Sequence, residues 1–165
     1  IRVGGATEPE ITERKSRTED ALAATKAAVE EGIVPGGGVA LVRTAHVLEA
    51  LPKQLSGDEA LGVKLVNEAL GAPLIKIAHN AGHRGEVIFE QVLTGEGDWG
   101  FDAEANQFGK MIEMGIVDPA KVTRAALENA ASVAAMVLTT ESLVTDAPVK
   151  NAAAAPPMPD MHDMM

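Results

Sequence analysis

The chain has 165 residues, with 14 Lys and Arg against 24 Asp and Glu, and no cysteine. Its formal charge of −10 argues against a nucleic-acid or anionic-membrane partner, which needs clustered cations. Zero cysteines exclude disulfides and thiolate metal sites.

No cationic start leads into an apolar run, and no apolar stretch reaches the ~20 residues of a membrane span, so a cytoplasmic chain is expected. The aromatic residues are only Phe89, Trp99, Phe101 and Phe108. Abundant Ala, Val and Leu therefore favour packed helices over an all-β core. The opening IRVGGATE reads like the inside of a longer protein, so a fragment or processed chain is expected.

Thr7 followed by Glu10 fits a capping box, with Pro9 tolerated in the first turn. The helix it opens is expected to run to Glu31 and stop at Gly32. Its apolar stripe is Ile11, Thr18, Leu22, Thr25 and Val29, with Asp20, Glu13, Ala24, Ala27 and Glu31 on the opposite side. A second helix is expected to start in the Gly36–Gly38 run and reach about Leu51, before Pro52. It is apolar nearly all round and so central.

SGDE at Ser56–Glu59 is a further capping box, opening a third helix that breaks near Gly71 and Pro73. An apolar stretch from Leu74 to Ala81 stops at Gly82, and a short helix follows over Glu86–Leu93. GEGDWGFDAE then reads as a turn with a small hairpin around Trp99–Phe101. Asn106–Met114 is expected as a short helix ending at Gly115. Asp118 and Pro119 read as cap and first-turn proline of the last helix. That helix carries Val122, Ala126, Asn129, Val133, Met136 and Val137 on one side. After Asp146 the Ala/Pro/Met tail has no periodicity able to bury a face, and disorder is expected.

Three consecutive glycines before a helix have three readings: a flexible turn, close helix packing, or a helix N-terminus open to an anion or nucleotide. The run is neither a Walker loop nor GxGxxG. Asp20 is a solvated carboxylate on a polar helix face, or a ligand group kept free. Asp118 is a helix cap whose second oxygen remains able to accept from a hydroxyl. Asp102-Ala103-Glu104 is ordinary turn chemistry. His79 and His83 bracket a helix end, and His162 in the tail lacks the rigid cage a metal needs.

RTEDALAATKAAVEEGIVPGGGVALVR and MGIVDPAKVTRAALENAASVAAMVLTTESLVTD, in that order, resemble the C-terminal part of group I chaperonins of the GroEL type. The resemblance spans Ile1 to about Pro148. It implies a mainly α fold: the last part of an intermediate domain (1–30), then the helical C-terminal half of an equatorial ATP-binding domain with a small hairpin (31–148). A Met-containing tail (149–165) follows. The family's GDGTTT phosphate loop is absent from this sequence.

By the same resemblance Gly37 lies against the nucleotide and Asp118 holds the ribose hydroxyls. Asp102, Ala103 and Glu104 form the turn beside the adenine, where the family usually has Asn-Ala-Ala. Asp20 is the catalytic carboxylate that helps align the attacking water. The implied activity is ATP hydrolysis, a phosphoryl transfer to water, driving the folding of enclosed polypeptides. ATP, Mg²⁺ and K⁺ are the implied cofactors. Implied partners are identical subunits in seven-membered rings, a co-chaperonin lid and unfolded proteins. The alternative is a non-catalytic helical oligomerisation module.

Overall fold

A computed structural model describes residues 1–49, 51 and 55–146. In chain order its elements are α1 (Glu8–Glu31), β1 (Ile33–Pro35), α2 (Val39–Glu49), α3 (Asp58–Ala69), α4 (Ala72–Asn80) and α5 (Gly85–Thr94), then β2 (Trp99–Asp102), β3 (Gln107–Lys110), β4 (Val117–Pro119) and α6 (Ala120–Thr139). The fold is mainly helical, with two small two-stranded antiparallel sheets, β1–β4 and β2–β3. The tail expected to be disordered, residues 149–165, lies outside the described residues.

Both ends of α1 follow from local chemistry. Thr7 Oγ1 accepts from the Glu10 N–H at 3.4 Å, and the Glu10 carboxylate reaches back to the Ala6 N–H at 2.8 Å. Gly32, at φ 84°, ends the helix and donates to the Ala28 carbonyl at 2.8 Å. The packed side of α1 differs from the expected apolar stripe. Val29 and Leu22 are exposed, whereas Ala24, Ala27 and Ala28 are partly covered. Small side chains let α1 approach β4 and α6 closely, so the alanine face is the one that docks.

The core joins Val39 and Val42 of α2 to Leu74 and Ala78 of α4, Ile88 and Val92 of α5, Phe101 of β2, and Met111. Only one face of α2 takes part, since Val47 is 70% exposed. On α6 no residue is buried, and Val133, Met136 and Val137 remain open to solvent. Among the described residues, no helix is long and apolar enough to cross a membrane.

Four local expectations are corrected. Residues 106–114 do not form a helix: β3 pairs with β2 in the register Trp99↔Lys110 and Phe101↔Phe108, and a turn follows. Asp118 does not cap α6; it lies in β4 opposite Val34, and the cap position falls to Pro119 without a side-chain bond. Ser56 gives no capping box, because Gly57, at φ 61°, occupies the N-cap without a side-chain bond. The second helix starts at Val39, after the glycines have formed a turn of their own.

Candidate functional site

The three glycines do different work. The Gly36 N–H donates to the Ile116 carbonyl at 2.9 Å, and a Cβ built there would sit 3.1 Å from Ile116. At Gly38, φ is +82° and a Cβ would lie 2.8 Å from the Leu74 backbone nitrogen. Close packing thus excludes a side chain at Gly38 and crowds one at Gly36. Gly37 also needs glycine, at φ +64°, but its nearest neighbours to a built Cβ are the Met111 Sδ and the Phe101 carbonyl, both at 3.7 Å. Its constraint is conformational, since a Cβ there would make only ordinary van der Waals contact.

The Phe101 carbonyl places Gly37 beside the end of β2. Trp99 stacks on Phe108 with ring centroids 4.9 Å apart, Phe101 meets Phe108 at 5.0 Å, and His83 meets the Phe101 ring edge-on at 5.3 Å. These contacts fix the hairpin against the core. At its tip Asp102 Oδ1 accepts from the Glu104 N–H at 2.9 Å and the Ala105 N–H at 3.1 Å. Asp102 thus folds the turn with its own carboxylate, and Asn106, at φ 52°, completes it. Ala103 packs against the core, and Glu104 points its side chain into solvent.

Asp118 reaches the same region through β4. Its strand partner Val34 lies three residues before Gly37, so the sheet carries the aspartate to the base of the glycine turn. The carboxylate is partly buried and makes no hydrogen bond or ion pair among the described residues. Burial alone pushes its pKa above the ordinary aspartate value. An uncompensated, partly desolvated carboxylate is ready to accept from hydroxyl donors.

Asp20 stands apart. It is exposed on α1, about 16 Å along the axis from Glu31 at ~1.5 Å per residue, with no ion pair or hydrogen bond of its side chain among the described residues. The foot of α1 is fastened to α6. Glu30 pairs with Lys121, and Glu31 meets Arg124 at 2.6 Å, which also reaches Glu128 at 2.9 Å. The Arg124 hydrogen bond holds Glu31 below the usual carboxylate range. Gly37 thus lies beside Phe101, which precedes Asp102 and Ala103 in the chain, and Asp118 pairs with Val34 three residues before it, while Glu104 and Asp20 are exposed.

Sequence reasoning passed over Arg43. From α2 its guanidinium donates to the carbonyls of Val92, Gly97 and Trp99 at 2.8–2.9 Å. The only sequence signal is a cation within an otherwise apolar stretch.

A model of the TCP-1/cpn60 chaperonin family matches residues 1–148. The chain belongs to that family. A crystal structure of a group III chaperonin in the open state superposes with a TM-score of 0.77 at 33% sequence identity. The match covers 86% of this chain and 30% of that one, so this chaperonin chain spans less than a third of the protein it resembles. Chaperonin membership agrees with the mainly helical fold. Among the described residues of this chaperonin chain, no three His, Asp or Glu side chains converge as a metal site.

Proposed function

We propose that the chain is the C-terminal half of the nucleotide-binding domain of a group I chaperonin, preceded by the last helix of its intermediate domain. Residues 1–30 form the intermediate part, 31–148 the equatorial part and 149–165 the tail. The observation that carries this reading is the glycine turn. Packing constrains Gly36 and Gly38, while Gly37 is held to glycine by its φ of +64° beside the Phe101 carbonyl, just after the strand that pairs with the one bearing Asp118.

ATP is the substrate in this account. Gly37 offers bare backbone to the nucleotide, the unpartnered Asp118 carboxylate accepts from the ribose hydroxyls, and the Asp102–Glu104 turn borders the adenine. Asp102 replaces the family's usual Asn without loss of the turn, since its Oδ1 already accepts two backbone N–H groups. Asp20 aligns the attacking water after α1 moves about its foot. Its exposure and lack of a partner fit such a travelling carboxylate. Among the described residues no three carboxylate or imidazole side chains converge to hold Mg²⁺.

The whole protein would then use ATP binding and hydrolysis in the cytoplasm to enclose and refold non-native polypeptides. It would do so in seven-membered rings of identical subunits under a co-chaperonin lid. The two long motifs favour the group I type, although a group III chaperonin shares the fold.

The test is ATP titration, ATP turnover and recovery of a denatured substrate protein by the full-length assembly, with native mass spectrometry for ring size. Nucleotide binding, hydrolysis and lid-dependent refolding by a seven-fold ring are expected. A ring that binds no nucleotide returns the chain to an oligomerisation module.

A further inference from the structure

Three segments must hold fixed positions for the site to exist: the glycine turn, the last turn of α5, and the entry to β2. The glycine turn leads directly into α2, and β2 ends in the Asp102 turn. One side chain ties all three. From α2, Arg43 Nη2 donates to the Val92 carbonyl at 2.8 Å and to the Trp99 carbonyl at 2.9 Å. Its Nε donates to the Gly97 carbonyl at 2.9 Å, and Nη1 lies 3.5 Å from the Leu93 carbonyl.

The Val92 carbonyl also accepts from the Gly95 N–H at 3.0 Å, so Arg43 adds a second donor there. The last turn of α5 carries no basic residue of its own, although a helix C-terminus leaves carbonyls without intrahelical donors. Arg43 is partly buried and forms no ion pair among the described residues, so backbone carbonyls are its counter-groups. A planar fork of five N–H donors suits acceptors spread over two segments, and a lysine ammonium does not reproduce that geometry.

The clamp sits two residues from the site. Arg43 grips the carbonyl of Trp99, and the carbonyl of Phe101 is the one that faces Gly37. Asp102 and Ala103 come next in the chain. We infer that Arg43 is a positioning residue that sets the base-side turn, Asp102–Glu104, at its working distance from Gly37, and so governs recognition of the nucleoside part of the ligand. This inference rests on the nucleotide-site reading above. Arg43 touches no ligand; it acts through the backbone of β2.

The test uses the full-length assembly and two probes, ATP and the base-free analogue ribose 5-triphosphate. Wild type must first bind ATP; if it does not, the nucleotide reading and this inference fall together, before any variant is made. In Arg43→Gln, ATP affinity is expected to fall about tenfold, with KM for ATP rising in proportion and kcat at saturation within about twofold of wild type. Affinity for ribose 5-triphosphate is expected to stay unchanged.

Arg43→Lys keeps the charge but not the fork and is expected to show the same selective loss, which also keeps the test available if Arg43→Gln does not fold. Equal loss for both probes overturns the inference and makes Arg43 a general structural support. Unchanged ATP affinity in the variants overturns it as well, while leaving the nucleotide site in place.

Discussion

Replacing Gly37 and Gly38 separately by alanine distinguishes a backbone that faces a ligand from one that faces a helix. At Gly38 two costs add. A left-handed backbone at φ +82° costs a residue with a Cβ about 1–2 kcal/mol. The new methyl also meets the backbone of Leu74 at 2.8–3.0 Å, and overpacking of that kind costs about 1–3 kcal/mol. Gly38→Ala is therefore expected to destabilise the α2–α4 contact by roughly 2–5 kcal/mol.

At Gly37 only the first cost applies, because the nearest atoms stand at 3.7 Å, so the expected loss is about 1–2 kcal/mol. Alanine there also shifts the backbone assigned to the nucleotide, and ADP affinity is expected to drop by about tenfold or more, ~1.4 kcal/mol. Peptide-resolved hydrogen exchange over α2 and α4 measures the first effect, and calorimetric ADP titration of the full-length assembly measures the second. The reasoning fails if Gly37→Ala binds ADP like wild type, or if Gly38→Ala loosens α4 no more than Gly37→Ala does.

Asp118 is not a helix cap, so Asp118→Ala is expected to weaken nucleotide binding without unwinding α6, as titration and exchange over α6 will report. Burial raises the Asp118 pKa, so the native state binds more protons than the unfolded chain just above the ordinary aspartate range. Stability should thus gain as pH falls through that window and be lost as pH rises, and Asp118→Asn should remove this contribution in pH-dependent unfolding. Asp20→Ala is expected to keep ATP affinity but slow single-turnover hydrolysis by about 10²- to 10⁴-fold; a wild-type rate would return Asp20 to a solvated carboxylate. Residues 1–165 alone, with Val133, Met136, Val137 and Leu138 exposed, are expected to self-associate in sedimentation velocity and to hydrolyse no ATP above background.

Where structure follows from neighbours in sequence, it was legible. The cap at Thr7, the stop at Gly32 and the break at Gly71–Pro73 are all local devices, and all appear. The β1–β4 pair was not legible, because three-residue strands carry no periodicity and their partners lie more than 80 residues apart. That pairing turned Asp118 from an expected cap into a strand residue. The hairpin was half legible. Its first strand was found, but Phe108, Met111 and Ile112 at spacings of three and one mimic a helical face and concealed the second.

At the site, the glycine run signalled that side chains were excluded without saying by what. Only the contacts with Leu74 and Ile116 resolve two glycines into packing, while the third is constrained by its backbone conformation alone. The exposure of Asp20 matched its polar helix face. The Arg43 clamp could not be read, since its acceptors are carbonyls, which every residue has.

The most direct measurement of the central claim is a structure of the full-length assembly with saturating ADP. The account predicts nucleotide density against the Gly37 backbone, ribose hydroxyls within hydrogen-bond distance of the Asp118 carboxylate, and the adenine beside the Asp102–Glu104 turn. Density elsewhere in the subunit, or none at saturation, would contradict it.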